Sequence, residues 1–215
     1  WINLGGRHER KGENGLAHFL EHMAFKGTQK RNAQQIAEAI ESVGGYMNAY
    51  TSKEITNYYV RILPNDIPLA LDVLSDIIIN SVYSAKDINL ERNVILQEIA
   101  QTNDTPDEII FDWLQEVSYP DQSVGRPILG SSKLIEGYGQ KDIIEFTSRH
   151  YTPDRMILCA SGKVDHEKIL HLAEKKFGSL IKKKRPEKDD CMFVGGTFQK
   201  RKELEQAHLA FGMEA

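Results

Sequence analysis

The chain has 215 residues, 40% apolar and 27% charged, with a formal net charge of −4. That length suits one large domain, or one domain plus a piece of another, and can bury a sizeable core. The balance is that of a globular protein; it argues against a general nucleic-acid binder, and no apolar run of about 18 residues offers a membrane span. The two cysteines, Cys159 and Cys191, have neither framework nor metal spacing, which fits a reducing compartment.

Trp1 to Gly6 reads as a strand and Arg7 to Glu13 as a charged loop. Asn14 is placed to cap the helix that follows. In Gly15-Leu16-Ala17-His18-Phe19-Leu20-Glu21-His22-Met23-Ala24-Phe25, the residues Leu16, Phe19, Leu20 and Met23 make one apolar stripe. His18, Glu21 and His22 land on the opposite face. Two imidazoles one turn apart can grip one metal ion, with a carboxylate beside them. The order is H-x-x-E-H, the inverse of the commoner zinc-protease H-E-x-x-H. Two solvated histidines would give the same pattern, so the metal reading needs a third ligand.

Asn32 to Val43 forms the next predicted helix, capped by Asn32, striped by Ile36, Ile40 and Val43, and stopped by Gly44-Gly45. Tyr46 to Ile62 is rich in aromatic and β-branched residues and breaks at Ser52 to Glu54, the pattern of a hairpin. A helix over Asp66 to Asn80 turns Ile67, Leu71, Leu74 and Ile78 inward. Ser84 and Asp87 form a capping box, with Asp in place of Glu, and open a helix over Ala85 to Thr102. There Ile88, Ile95 and Ile99 make one stripe, and Leu90 and Val94 a second. Glu91 and Glu98, two turns apart, lie between the stripes. A buried carboxylate needs a cation. A divalent metal is one; a salt bridge to Arg92 or Arg61 is the other reading.

Thr105-Pro106-Asp107-Glu108 is a helix start with N-cap, Pro at N1 and acids in the first turn. That helix runs to Ser118 with Ile109, Ile110, Trp113 and Val117 as core. Tyr119 to Ser132 is a loop, Lys141 to His150 a helix, Arg155 to Gly162 a buried strand, and Asp165 to Phe177 an amphipathic helix. The run Lys182-Lys183-Lys184-Arg185-Pro186-Glu187-Lys188 reads as a solvated linker rather than a nuclear signal. The first and last residues both look like strands met midway, as in a piece of a longer protein. The expected division is a domain over 1–181, without its first strand, and a linker with the start of a second domain over 182–215.

His18-x-x-Glu21-His22 followed by Glu91 and Glu98 resembles the pitrilysin/insulinase family of zinc metallopeptidases. The likeness is greatest to its branch of mitochondrial processing-peptidase catalytic subunits and their bacterial relatives. Gly44-Gly45-x-x-Asn48-Ala49-Tyr50-Thr51, Glu91-Arg92-x-Val94-Ile95-x-x-Glu98-Ile99 and Gly125-x-Pro127-Ile128-Leu129-Gly130 carry it further. The resemblance implies zinc ligation by His18, His22 and Glu98, a general base in Glu21, and a supporting acid in Glu91. It implies that the strand at Asn48-Ala49 captures peptide substrate at its edge; by its residues alone that stretch is an ordinary sheet strand. It also implies a partner, a second peptidase-like domain or subunit in a homodimer or heterodimer, in a bacterial cytoplasm or a mitochondrial matrix.

The chemistry agrees. Two imidazoles and a carboxylate leave a fourth zinc position open, as a catalytic site requires; a structural zinc takes four closed ligands. Water there becomes more acidic, and Glu21 can move its proton to the leaving amine. The expected fold class is α+β, a mostly antiparallel sheet with helices packed on it. The expected function is zinc-dependent endopeptidase cleavage of extended peptides or presequences; the alternative is a non-catalytic core or assembly subunit.

Overall fold

Helices form where the apolar spacing predicts them, and their caps show why each begins where it does. The computed structural model describes residues 1–183 and 190–214. In chain order the elements are α1 (Leu16–Ala24), α2 (Ala33–Glu41), β1 (Tyr46–Thr51), β2 (Thr56–Arg61) and α3 (Ile67–Ile79). Then follow α4 (Ala85–Asp104), α5 (Pro106–Ser118), α6 (Ser132–Gly137), α7 (Gln140–His150) and α8 (His166–Phe177). Of the predicted linker run, residues 184–188 lie outside the described residues.

The Asn32 side chain accepts from Gln35 N at 2.8 Å, and that of Ser84 from Asp87 N at 3.1 Å. Both expected caps hold. Asn14 is different: the residue at the start of α1 is Gly15, with φ +94. A Cβ there would sit 2.8 Å from Leu129 O, so only glycine fits this left-handed turn. The Asn14 amide instead donates to Glu9 Oε2 and to Pro127 O. Glu9 takes over the cap, accepting from Gly15 N at 2.9 Å and Ala17 N at 2.7 Å. A carboxylate at a helix N-terminus is well placed against the helix dipole. The Thr105 hydroxyl also differs from expectation: it donates back to Gln101 O rather than capping α5.

The fold is α+β, with a small antiparallel sheet covered by helices. β1 pairs with β2 from Tyr46 opposite Arg61 to Thr51 opposite Thr56. Residues 1–6 make no full strand; Ile2 alone bridges both Thr56 and Met156. The predicted strand at 155–162 likewise shrinks to Met156. Ile157 N donates to Trp1 O at 2.9 Å at the end of this pairing. Ile157 and Leu158 are exposed.

Phe19, Leu20 and Met23 of α1 sit in one core with Ile36, Ile40, Val73, Ile77, Ile95, Ile143 and Phe146. In α3 the most buried apolar residues are Val73 and Ile77; of the four expected to face inward Leu71 is buried, while Ile67, Leu74 and Ile78 are half-buried. The helix is turned because α8 packs on its other flank. In α5 only Ile109 of the expected core is buried. Trp113 instead meets Phe198 at 5.1 Å between ring centroids and lies under Lys200.

Candidate metal centre

The apolar stripe of α1 is buried against the core, so its opposite face is fixed in direction. α4 packs beside α1, its stripe Ile88, Ile95 and Ile99 buried as predicted. The second stripe is not buried: Leu90 and Val94 are exposed. Glu91 and Glu98 are carried on the flank of α4 that faces His18 and His22.

The result is a cluster. His18 Nε2 and His22 Nε2 are 3.3 Å apart, and Glu98 Oε2 is 3.7 Å from the first and 3.6 Å from the second. Among the described residues, this is the one group of three or more His, Cys, Asp or Glu side chains whose ligand atoms converge in this way. Zinc–nitrogen distances of about 2.0–2.1 Å place tetrahedral ligand atoms roughly 3.3 Å apart. The three atoms thus fit a zinc-sized ion with small adjustment. Three electron-rich atoms facing one another also favour a cation between them.

The protonation states agree. Burial, and then the neighbouring His22, hold the His18 imidazole down to a pKa of about 3, so its ring is neutral and free to ligate. His22 Nδ1 lies 3.0 Å from Glu91 Oε2. A proton on that nitrogen leaves Nε2 with its lone pair, the usual way an outer carboxylate sets a ligand's tautomer. His18 Nδ1 is buried with no hydrogen-bond partner among the described residues.

Glu21 is half-buried beside the cluster. Burial raises its pKa; a hydrogen bond from Thr51 and the charge of His22 pull it down, and Glu98 raises it. A carboxyl pushed above its ordinary value suits proton transfer near neutral pH.

Glu91 is the buried carboxylate that the sequence predicts, 8% exposed at the side chain, but neither Arg92 nor Arg61 meets it. Its second oxygen pairs with Lys26 Nζ at 2.6 Å. Arg92 points to Ile135 O and Tyr138 O, beside α6. Lys26 carried only a weak signal: it follows His18 and His22 in four-residue steps of sequence, but α1 ends before it, at Ala24. Thr51 and Glu9 carried no such signal. Asn48 and Ala49 lie apart from the cluster's contacts. The Asn48 amide is turned onto its own strand, accepting from Ala49 N at 2.8 Å and donating to Tyr46 Oη at 2.8 Å.

A helix-borne His-x-x-Glu-His pair, joined by a glutamate from a second helix, is the residue pattern of the inverted-motif metallopeptidases. Residues 1–132 match the model of the insulinase family, peptidase family M16, and residues 139–215 match the family's inactive-domain model. The chain belongs to peptidase family M16. It is 43% identical over 211 residues to a Rickettsia bellii protein named an uncharacterized zinc protease, covering 98% of this chain and 51% of that one. It is 40% identical over 219 residues to the human mitochondrial-processing peptidase subunit beta, covering 100% of this chain and 45% of that one. The crystal structure of a Helicobacter pylori protease superposes with a TM-score of 0.84 at 26% identity, over 90% of this chain and 47% of that one. The first half of the Escherichia coli periplasmic protease PqqL shares the fold, with a TM-score of 0.78 at 23% identity, over 88% and 42% of the two chains. The chain therefore spans about half the length of the curated relatives it matches. Among the described residues no helix is long and apolar enough to cross a membrane.

Proposed function

We propose that this chain carries the zinc-binding half of an endopeptidase that cleaves extended peptides or presequences. The observation that carries the reading is the convergence of His18, His22 and Glu98 within 4.8 Å of one another, with Glu21 on the same helix. A zinc ion held by those three side chains would act as a Lewis acid toward a peptide carbonyl and make a nearby water more acidic. Glu21 takes that water's proton on its carboxylate and gives it to the leaving amine. Glu91 holds the His22 ring through Nδ1. The free edge of β1 at Asn48 and Ala49 offers main-chain groups to an extended peptide. The Asn48 amide must then leave Ala49 N when a substrate carbonyl arrives.

The length of the relatives supports a second peptidase-like domain or subunit as partner, with residues 182–215 leading into it. The matched proteins' names include a mitochondrial and a periplasmic one; the cytoplasmic placement stays part of this proposal. A non-catalytic core or assembly subunit is the second reading, favoured by the match of 139–215 to the inactive-domain model. The assembled donor set favours the first.

The test pairs the chain with its second half and measures bound zinc and peptide hydrolysis. Glu21→Gln is expected to keep zinc and lose hydrolysis by roughly 100- to 10,000-fold. Normal cleavage by Glu21→Gln overturns the mechanism, and a wild type that binds zinc without cleaving any peptide supports the second reading. The 215 residues alone are expected to turn over little.

A further inference from the structure

Lys26 stands just past the last turn of α1, its N–H donating to Met23 O at 3.2 Å. It lies outside the helix, in the bend that follows the C-cap Phe25. Its ammonium reaches back across the gap to α4 and meets Glu91 Oε1 at 2.6 Å, while Glu91 Oε2 faces His22 Nδ1 at 3.0 Å. One buried carboxylate thus bridges an ammonium and a ring nitrogen. Among the described residues, Lys26 is the one Lys or Arg in an ion pair with Glu21, Glu91 or Glu98.

The physical consequence follows from what a carboxylate does with one oxygen unpinned. Held only by a ring N–H, a glutamate side chain keeps several rotamers, and the ring it touches keeps a range of tilts. With the second oxygen tied to an ammonium, the range of orientations narrows, and removing the half-exposed Lys26 charge leaves the buried Glu91 carboxylate uncompensated on that side. Lys26 also links the end of α1 to α4 through Glu91.

We infer that Lys26 is a positioning residue of the metal centre. Through Glu91 it fixes the His22 ring with Nε2 turned toward His18 and Glu98. This rests on the zinc reading above. Lys26 touches neither the ligand atoms nor a substrate, so its effect is on metal affinity and coordination geometry before any effect on turnover.

The experiment measures zinc affinity of the chain by competition with a chromophoric chelator, and records the electronic spectrum of the cobalt(II)-loaded form. Lys26→Met keeps the apolar stem and removes the charge. Zinc affinity should fall roughly 10-fold, the lower end of what outer partners of a ligand cost, with a shifted cobalt spectrum. Lys26→Arg should restore the wild-type spectrum. On a Glu91→Gln background, Lys26→Met should change zinc affinity no further, since the two act through one contact. Wild-type affinity and spectrum in Lys26→Met overturn the inference while leaving the zinc reading standing. An equal loss on both backgrounds also overturns it, as does Lys26→Arg behaving like Lys26→Met should the latter fold poorly. A wild type that takes up neither metal overturns both.

Discussion

Two regions of this molecule bury histidines, and their neighbours give them opposite meanings. At the α1–α4 face, His18 and His22 converge with the Glu98 carboxylate, and every atom at the meeting point is a lone-pair donor. At the end of α7, His150 is 1% exposed, packs at a tilt of 45° against Phe146 and lies between two guanidiniums. Arg149 Nε donates to its Nε2 at 3.2 Å, and Arg155 Nη1 is 3.2 Å from its Nδ1. Both His18 and His150 are driven down to a pKa of about 3, chiefly by burial. Burial therefore does not distinguish a ligand from a structural residue. The sign of the surrounding charge does: carboxylates around one ring invite a cation, and arginines around the other repel it.

The sharpest way to break this contrast is to remove a carboxylate from one region and the imidazole from the other. Glu98→Ala is expected to weaken zinc binding by at least about 100-fold, a share of the roughly 10–16 kcal/mol that a full ligand set supplies. His150→Asn should leave zinc affinity unchanged. Equal losses in a chelator competition would erase the distinction.

A smaller effect lies in acid stability. A histidine held neutral in the fold contributes stability that is full above its unfolded pKa, near 6.5, and is lost as pH falls below it. For His150 that loss reaches about 2 kcal/mol by pH 5, at about 1.4 kcal/mol per unit. Glu9, pushed up to about 7 by burial, works the other way, gaining stability as pH falls through the same window. The difference between wild type and His150→Asn therefore carries the result. In urea titrations of the zinc-free chain, the stability gap between the two should narrow by about that amount from pH 7 to pH 5. A gap independent of pH would show that His150 is not held neutral.

The smallest effect belongs to a position outside both regions. Leu90, exposed on α4, should tolerate Leu90→Ser within about 0.5 kcal/mol in this chain. A larger loss in the same titration would mean that the second stripe of α4 is packed.

These contrasts also show what the sequence could and could not reveal. The α1 face was legible because its apolar stripe obeys the helical period, and the opposite face follows from it. Glu91 was legible as a carboxylate too costly to bury alone; Glu98, two turns on and half-exposed, was marked only by its place between the stripes. The partner of Glu91 was not: sequence proximity suggested Arg92, whose guanidinium goes to the carbonyls of Ile135 and Tyr138 instead. Asn14 had the right chemistry for a cap, yet the close approach of Gly15 to Leu129 and Gly130 moved that task to Glu9. The apolar run at 155–162 promised a buried strand; strand burial depends on a neighbour supplied from elsewhere in the chain, and among the described residues Trp1 to Asn3 pair with Arg155 to Ile157 alone of that run. Local periodicity located the helices, but which stripe is buried, as Leu90 and Val94 show, depends on tertiary packing.

The distribution of the three donor atoms over α1 and α4 has a consequence for how the protein comes to exist. His18 and His22 are a local pair that a single nascent helix already offers. Glu98 arrives only when a long stretch of intervening chain, the β-hairpin and α3 included, has closed on itself. On the zinc reading proposed above, full affinity for the ion would therefore come only with the closed tertiary fold. A metal taken up early, by the two imidazoles alone, would be held weakly enough to exchange before the third donor locks the choice.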